Sequence, residues 1–187
     1  MTKMRLLVIG LVLPVTLLFI LGVLVPGPVN SGDDDGVKLR LTLRGFEEVP
    51  AVSTAANGRF RGEVSEDGDS ITYTLSYSAI EGDIRQAHIH FGQRSVNGGI
   101  VVFLCQTTFN PDPTGLAPTC PQSGTVTGTL RAANMTGSAS AQGIATGEFA
   151  ELVQAIRTGV TYANVHSTKF PGGEIRGQIK GRHDDDD

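Results

Sequence analysis

His88 and His90, one residue apart, are the side chains whose type and spacing most suggest chemistry. On an extended strand side chains alternate, so both imidazoles leave from one face while Ala87, Ile89 and Phe91 leave from the other. His166 ends a second strand-like stretch and shares its face with Asn164 and Tyr162. An H-x-H pair joined by a third histidine offers three neutral imidazole nitrogens, a donor set that suits copper or zinc and leaves a coordination position open. The chain has four histidines, and His183 lies near the C-terminal end. A dinuclear metal centre therefore lacks ligands. The competing role is structural, with the rings donating hydrogen bonds that pin strands and loops and no cofactor bound.

No other constellation matches these histidines. A G-x-S-x-G elbow and a G-x-G-x-x-G turn are both missing, and the acidic residues gather in turns and tails. Glu174 and Arg176 read as a cross-strand ion pair rather than a catalytic couple. The expectation is a protein that is not an enzyme. Cys105 and Cys120 enclose QTTFNPDPTGLAPT, a loop rich in Pro and Thr. They are the only cysteines and should pair as a structural disulfide outside the cytoplasm.

The elements that must position these residues are mostly strands. Val37, Leu39, Leu41 and Leu43 alternate with Lys38, Arg40, Thr42 and Arg44, a period of two. Phe60 to Val64 and Ile71 to Tyr77 repeat it on either side of the Glu66-Asp67-Gly68-Asp69 turn, which predicts a hairpin. Further strands are predicted at Gln86 to Phe91, Ile100 to Leu104, Thr125 to Leu130, Tyr162 to His166 and Glu174 to Ile179, the last two joined through Pro171-Gly172-Gly173. Phe149, Leu152, Val153 and Ile156 have helical spacing, with Thr146 as N-cap and Gly159 as terminator. Eight or so antiparallel strands and one helix imply a mainly β fold, a sandwich with Greek-key connections.

Charge and hydropathy give the chain an address. The uncharged run from Leu6 to Val25 is long enough to cross a bilayer, with Lys3 and Arg5 before it and Asp33 to Asp35 after it. The expected division is a transmembrane anchor or export signal over 1–26, a linker over 27–36, a folded domain over 37–180 and an acidic tail over 181–187. The domain would then lie outside the cytoplasm, periplasmic or extracellular. Without Lys3 and Arg5 the 15 basic residues become 13, and without the seven tail acids the 19 acidic ones become 12. A nearly neutral body gives no support to nucleic acid as a partner.

Four motifs carry a family resemblance: GFEEVP at 45–50, AHIHFG at 87–92, NGGIVVFL at 97–104 and YANVHSTKFPGGEIRGQI at 162–179. In that order they resemble the chordin-type (CHRD) domain of extracellular animal proteins and exported microbial ones. The resemblance implies an extracytoplasmic immunoglobulin-like β-sandwich and brings no settled biochemical activity. The string HIHFG is also similar to the copper-binding strand of copper-zinc superoxide dismutases.

Three functions follow as expectations. One is a non-enzymatic structural or interaction module, tethered by its N-terminal helix and serving as an accessory subunit of a larger membrane complex. The second is a mononuclear copper- or zinc-binding protein using His88, His90 and His166. The third is a secreted adhesion or matrix module.

Overall fold

The structure, a computed structural model, describes residues 36–182. The anchor or signal segment 1–26, nearly all of the linker and the tail from His183 lie outside the described residues. No helix among the described residues is long and apolar enough to cross a membrane.

Nine strands and one helix follow in the order β1 (Lys38–Arg44), β2 (Asn57–Val64), β3 (Ile71–Ser78), β4 (Ile84–Phe91), β5 (Gly99–Cys105), β6 (Gly124–Leu130), α1 (Phe149–Arg157), β7 (Thr161–Ser167), β8 (Ile175–Ile179) and β9 (Gly181–Arg182). The mainly β, antiparallel expectation holds. Hydrogen bonding joins eight strands along one path, β5-β4-β7-β8-β1-β2-β3-β6, with β9 added to β1. The ends of that path approach each other: Val102 bridges Met135, the Thr136 N–H donates to the Val101 carbonyl at 2.9 Å, and the Tyr73 hydroxyl donates to the Leu104 carbonyl at 2.6 Å. The sheet is thus nearly closed. Its thinnest seam lies between β1 and β8, which share the single register pair Arg44 and Arg176, while β9 takes up the pairing at Lys38 and Leu39. Gly177 belongs to this seam, since a Cβ there would stand 2.5 Å from the Thr42 carbonyl oxygen.

Alternation explains which face each strand buries. Leu39, Leu43, Phe60, Ile71, Leu75, Ile89, Val165, Ile175 and Ile179 are all fully enclosed in one core, to which α1 adds Leu152 and Ile156. The helix starts later than Thr146 predicts. Its N-cap is Glu148, whose carboxylate accepts a hydrogen bond from the Ala145 N–H at 2.8 Å, and the positive φ of 73° at Gly159 ends it as expected.

β7 departs from simple alternation, because all seven of its residues are buried. Ala163 and Val165 face the core, and Tyr162, Asn164 and His166 lie beneath the loops that cover the opposite face. Those loops are tied down by polar contacts. Asn97 donates to the Val49 carbonyl at 3.0 Å, Arg94 pairs with Glu47, and the Gln178 carboxamide donates to the carbonyls of Gly92 and Gly159.

The cysteines pair as expected. Within the loop they close, the Asp112 carboxylate accepts from the N–H groups of Thr114, Leu116 and Ala117 and from the Thr114 hydroxyl. The loop is therefore built rather than slack. Converting both cysteines to serine should lower the unfolding free energy by about 3 kcal/mol, the chain-entropy value for a loop of this size. Urea denaturation of the two forms measures the difference.

Candidate metal centre

The register of the sheet assembles the site in rows. Phe103 of β5 lies opposite His88 of β4, His88 opposite Asn164 of β7, and Asn164 opposite Arg176 of β8. In the next row His90 faces Tyr162, which faces Gln178, and His166 faces Gln86. All three sequence-predicted histidines therefore meet on one buried face. One ligand nitrogen from each lies within 4.8 Å of the others, and the rings are 0 to 7% exposed.

Backbone carbonyls assign the protons. His90 Nδ1 lies 2.9 Å from the Gly98 carbonyl oxygen, and His166 Nδ1 lies 3.0 Å from that of Pro171. A carbonyl only accepts, so in each ring Nδ1 carries the hydrogen and Nε2 keeps its lone pair. His166 Nε2 then accepts from His88 Nδ1 at 3.2 Å, and the Asn164 carboxamide 3.0 Å away bonds to it only with its NH2 turned inward, since its oxygen can only accept. The Nε2 atoms of His88 and His90 are buried with no hydrogen-bond partner. A histidine anchored to a backbone carbonyl through one nitrogen and free at the other has the standard posture of a metal ligand. Bonds of about 2.0–2.1 Å to a tetrahedral ion place ligand nitrogens roughly 3.3 Å apart. The 3.2 Å His88–His166 contact runs through His88 Nδ1 and not through its unpartnered Nε2, so the rings must turn and close in for all three to ligate one ion through Nε2. Three imidazoles without carboxylate or thiolate favour copper or zinc over calcium or magnesium.

Around the cluster stands a second polar layer. The Tyr162 ring stacks on His90, with centroids 4.7 Å apart, and carries the Arg176 guanidinium 3.3 Å from its own centroid. Arg176 is 1% exposed and donates to the carbonyls of Gln93 and Val96, each at 3.0 Å, and to the Asn97 side chain. The expected Glu174–Arg176 ion pair is replaced. Glu174 accepts instead from the Thr54 hydroxyl at 2.7 Å and from the Glu81 N–H at 2.8 Å. The charged neighbour of Arg176 is Glu48 of the GFEEVP motif, which also hydrogen-bonds with Asn164. Phe103, with its ring 4.3 Å from that of His88, and the carbonyls of Gly98 and Pro171 were invisible as site parts. Only the alternation that puts Arg176 and Gln178 on one face of β8 hinted at them.

Burial governs the titration of these groups. Desolvation lowers the His90 and His166 pKa values to about 4 and that of His88 well below its usual 6.5, with the neighbouring imidazoles adding to the drop at His88. All three rings are neutral near pH 7, the form that binds metal. Glu48 is pushed up to about 7 by burial, opposed by Arg176.

The CHRD domain model matches residues 39–179 of the chain. The chain belongs to the CHRD family. That membership makes it an extracellular-type module and agrees with the four motifs, all of which contribute to the buried polar face. No curated protein and no solved structure matches the chain.

The titrations fix the acid response of the metal-free CHRD domain. Between pH 6.5 and about 4 the unfolded chain binds protons at the three histidines that the folded chain refuses, so stability present above pH 6.5 is lost on acidification. Glu48 acts in the opposite sense. Its folded form holds a proton that the unfolded chain releases between pH 4.5 and 7, so it contributes stability that is lost as pH rises through that window. The histidines outnumber it three to one. The urea midpoint of metal-free protein should therefore fall from pH 6.5 to 4.5, and Glu48→Gln should make that fall steeper.

Proposed function

We propose that this CHRD domain binds a single copper or zinc ion through His88, His90 and His166, as a binding module rather than an enzyme. The observation that carries the reading is the pair of buried Nε2 atoms on His88 and His90 that lack a hydrogen-bond partner. Leaving buried polar atoms unpaired costs about 1–3 kcal/mol each, a cost that a coordinated cation removes. The carbonyls of Gly98 and Pro171 would hold the rings in their ligating tautomers. Phe103 and the covering loops would keep water from the ion. A bound ion supplies Lewis acidity and, in the case of copper, one-electron exchange. Dismutase activity is not part of the proposal, since the cluster offers three ligands and no second cluster of ligands stands among the described residues.

Full-length protein purified without a histidine tag should take up one copper or zinc ion per chain on reconstitution, measured by elemental analysis after desalting. His88→Ala/His90→Ala should reduce the content well below one. Ligand binding at a hundredfold excess over Kd adds about 2.7 kcal/mol to stability, so the loaded wild type should also melt higher than the metal-free form and the variant should not. Sub-stoichiometric metal in the wild type, or equal loading of the variant, overturns the proposal.

A second reading is an extracytoplasmic interaction module, either tethered at the membrane as an accessory subunit or released as a secreted adhesion or matrix module. Its support is the exposure of Phe46 at 78% and Phe109 at 89%, both on loops. An immunoglobulin-like sandwich packing of the nearly closed sheet belongs to the same reading. The intact mass of the native protein separates the two forms: an unprocessed N-terminus fits the tether, and a mass lacking the first 30 or so residues rules it out.

A further inference from the structure

The near neutrality of the domain hides a segregated surface. Arg40 and Arg44 on β1 and Arg59 and Arg61 on β2 are all exposed and share the solvent face of the sheet. Arg40 lies directly opposite Arg61, Thr42 opposite Arg59, and Arg44 opposite Asn57. Like charges facing each other across a ladder destabilise it. Nothing in the domain offsets the repulsion, because none of these four side chains makes an ion pair or hydrogen bond among the described residues. The acid placed next to them in register, Glu63, lies opposite Lys38.

The same face continues across β3 and β6 as a band of hydroxyls. Thr72, Thr74 and Ser76 pair in register with Thr129, Thr127 and Thr125. The large exposed apolar residues Phe46, Val96, Phe109 and Leu116 are all absent from these strands, so the face offers no side chain to enter a lipid interface. A flat array of guanidinium groups flanked by hydroxyls matches a ligand that is extended, anionic and rich in hydroxyl partners. Guanidinium forks suit carboxylate and sulfate oxygens, and the Thr and Ser ladder suits sugar hydroxyls.

We propose that the Arg40–Arg44–Arg59–Arg61 face binds an acidic polysaccharide bearing carboxylate or sulfate groups. This rests on charge complementarity and register, independently of the histidine cluster. It also fits an extracellular-type domain, whose surroundings include such polymers.

The test is titration of the purified full-length protein with a defined sulfated uronic-acid oligosaccharide, its desulfated and carboxyl-reduced counterpart, an oligo-aspartate peptide and phosphatidylglycerol vesicles. Wild type should bind the acidic oligosaccharide in a salt-sensitive manner and its neutral counterpart at least tenfold more weakly. Arg40→Thr/Arg61→Thr should lose about tenfold or more in affinity, as expected for removing hydrogen bonds to charged groups. Its melting temperature should equal or exceed that of the wild type, because a like-charge pair has gone. His88→Ala/His90→Ala should leave this affinity unchanged. Equal binding of the neutral sugar, undiminished affinity in the arginine variant, or stronger binding of the peptide or the vesicles would each overturn the proposal.

Discussion

The guanidinium of Arg176 is the contact on which the buried polar face depends. A charge removed from water must recover its hydration within the protein, and Arg176 does so through two backbone carbonyls, the Asn97 side chain and the Tyr162 ring. These partners sit on different elements, so one side chain fixes the loop from Gln93 to Asn97 against β7 and β8. The next residue of that loop is Gly98, whose carbonyl sets the His90 tautomer. The posture of an imidazole on β4 is thereby coupled to a cation on β8. Arg176 is a positioning residue: it acts on the site through the loop it holds, and Glu48 beside it limits the net charge that has to be buried.

This arrangement explains why β7 can be buried on both faces. Its inner face is conventional, with Ala163 and Val165 in the apolar core. The outer face needs a partner for every polar group, and the loops supply carbonyls more readily than donors. Carbonyls satisfy Nδ1–H groups and the guanidinium, but they give nothing to a lone pair. The result is a pocket in which donors are saturated and acceptors are not, with His88 Nε2 and His90 Nε2 left over. The proposed cation would resolve the imbalance with the residues already present.

Much of this was legible in the sequence because period-two alternation places residues on faces. His88 with His90, and Tyr162 with Asn164 and His166, could be assigned to common faces before any coordinates, and the four motifs pointed to the family that the match over 39–179 shows. Strand adjacency was not legible. That β4 lies next to β7, and β7 next to β8, is a long-range pairing that local pattern cannot specify, and it is what brings His166 within 3.2 Å of His88. Glu174 and Arg176 show the same limit. Proximity along one strand suggested an ion pair, but the first residue turns to Thr54 and Glu81 and the second to the loop before β5. The N-cap differed for a more local reason: the helix begins at Phe149, two residues later than a Thr146 cap requires, and Glu148 turns its carboxylate back to the Ala145 N–H.

The outward face of the sheet divides its polar residues by what covers them. Histidine, asparagine and the lone Arg176 are enclosed, where desolvation makes each hydrogen bond strong and fixes geometry. The remaining arginines of β1 and β2 stand in water, where the same charges are screened and cost little until a counter-charge arrives. Loop cover, not register, separates these fates. Arg44 and Arg176 are direct partners in the seam between β1 and β8, yet one is exposed and the other is 1% exposed, because loops cover β8 and leave β1 open. Under the two proposals the domain would hold a small ligand beneath its loops and meet a large one on its uncovered strands.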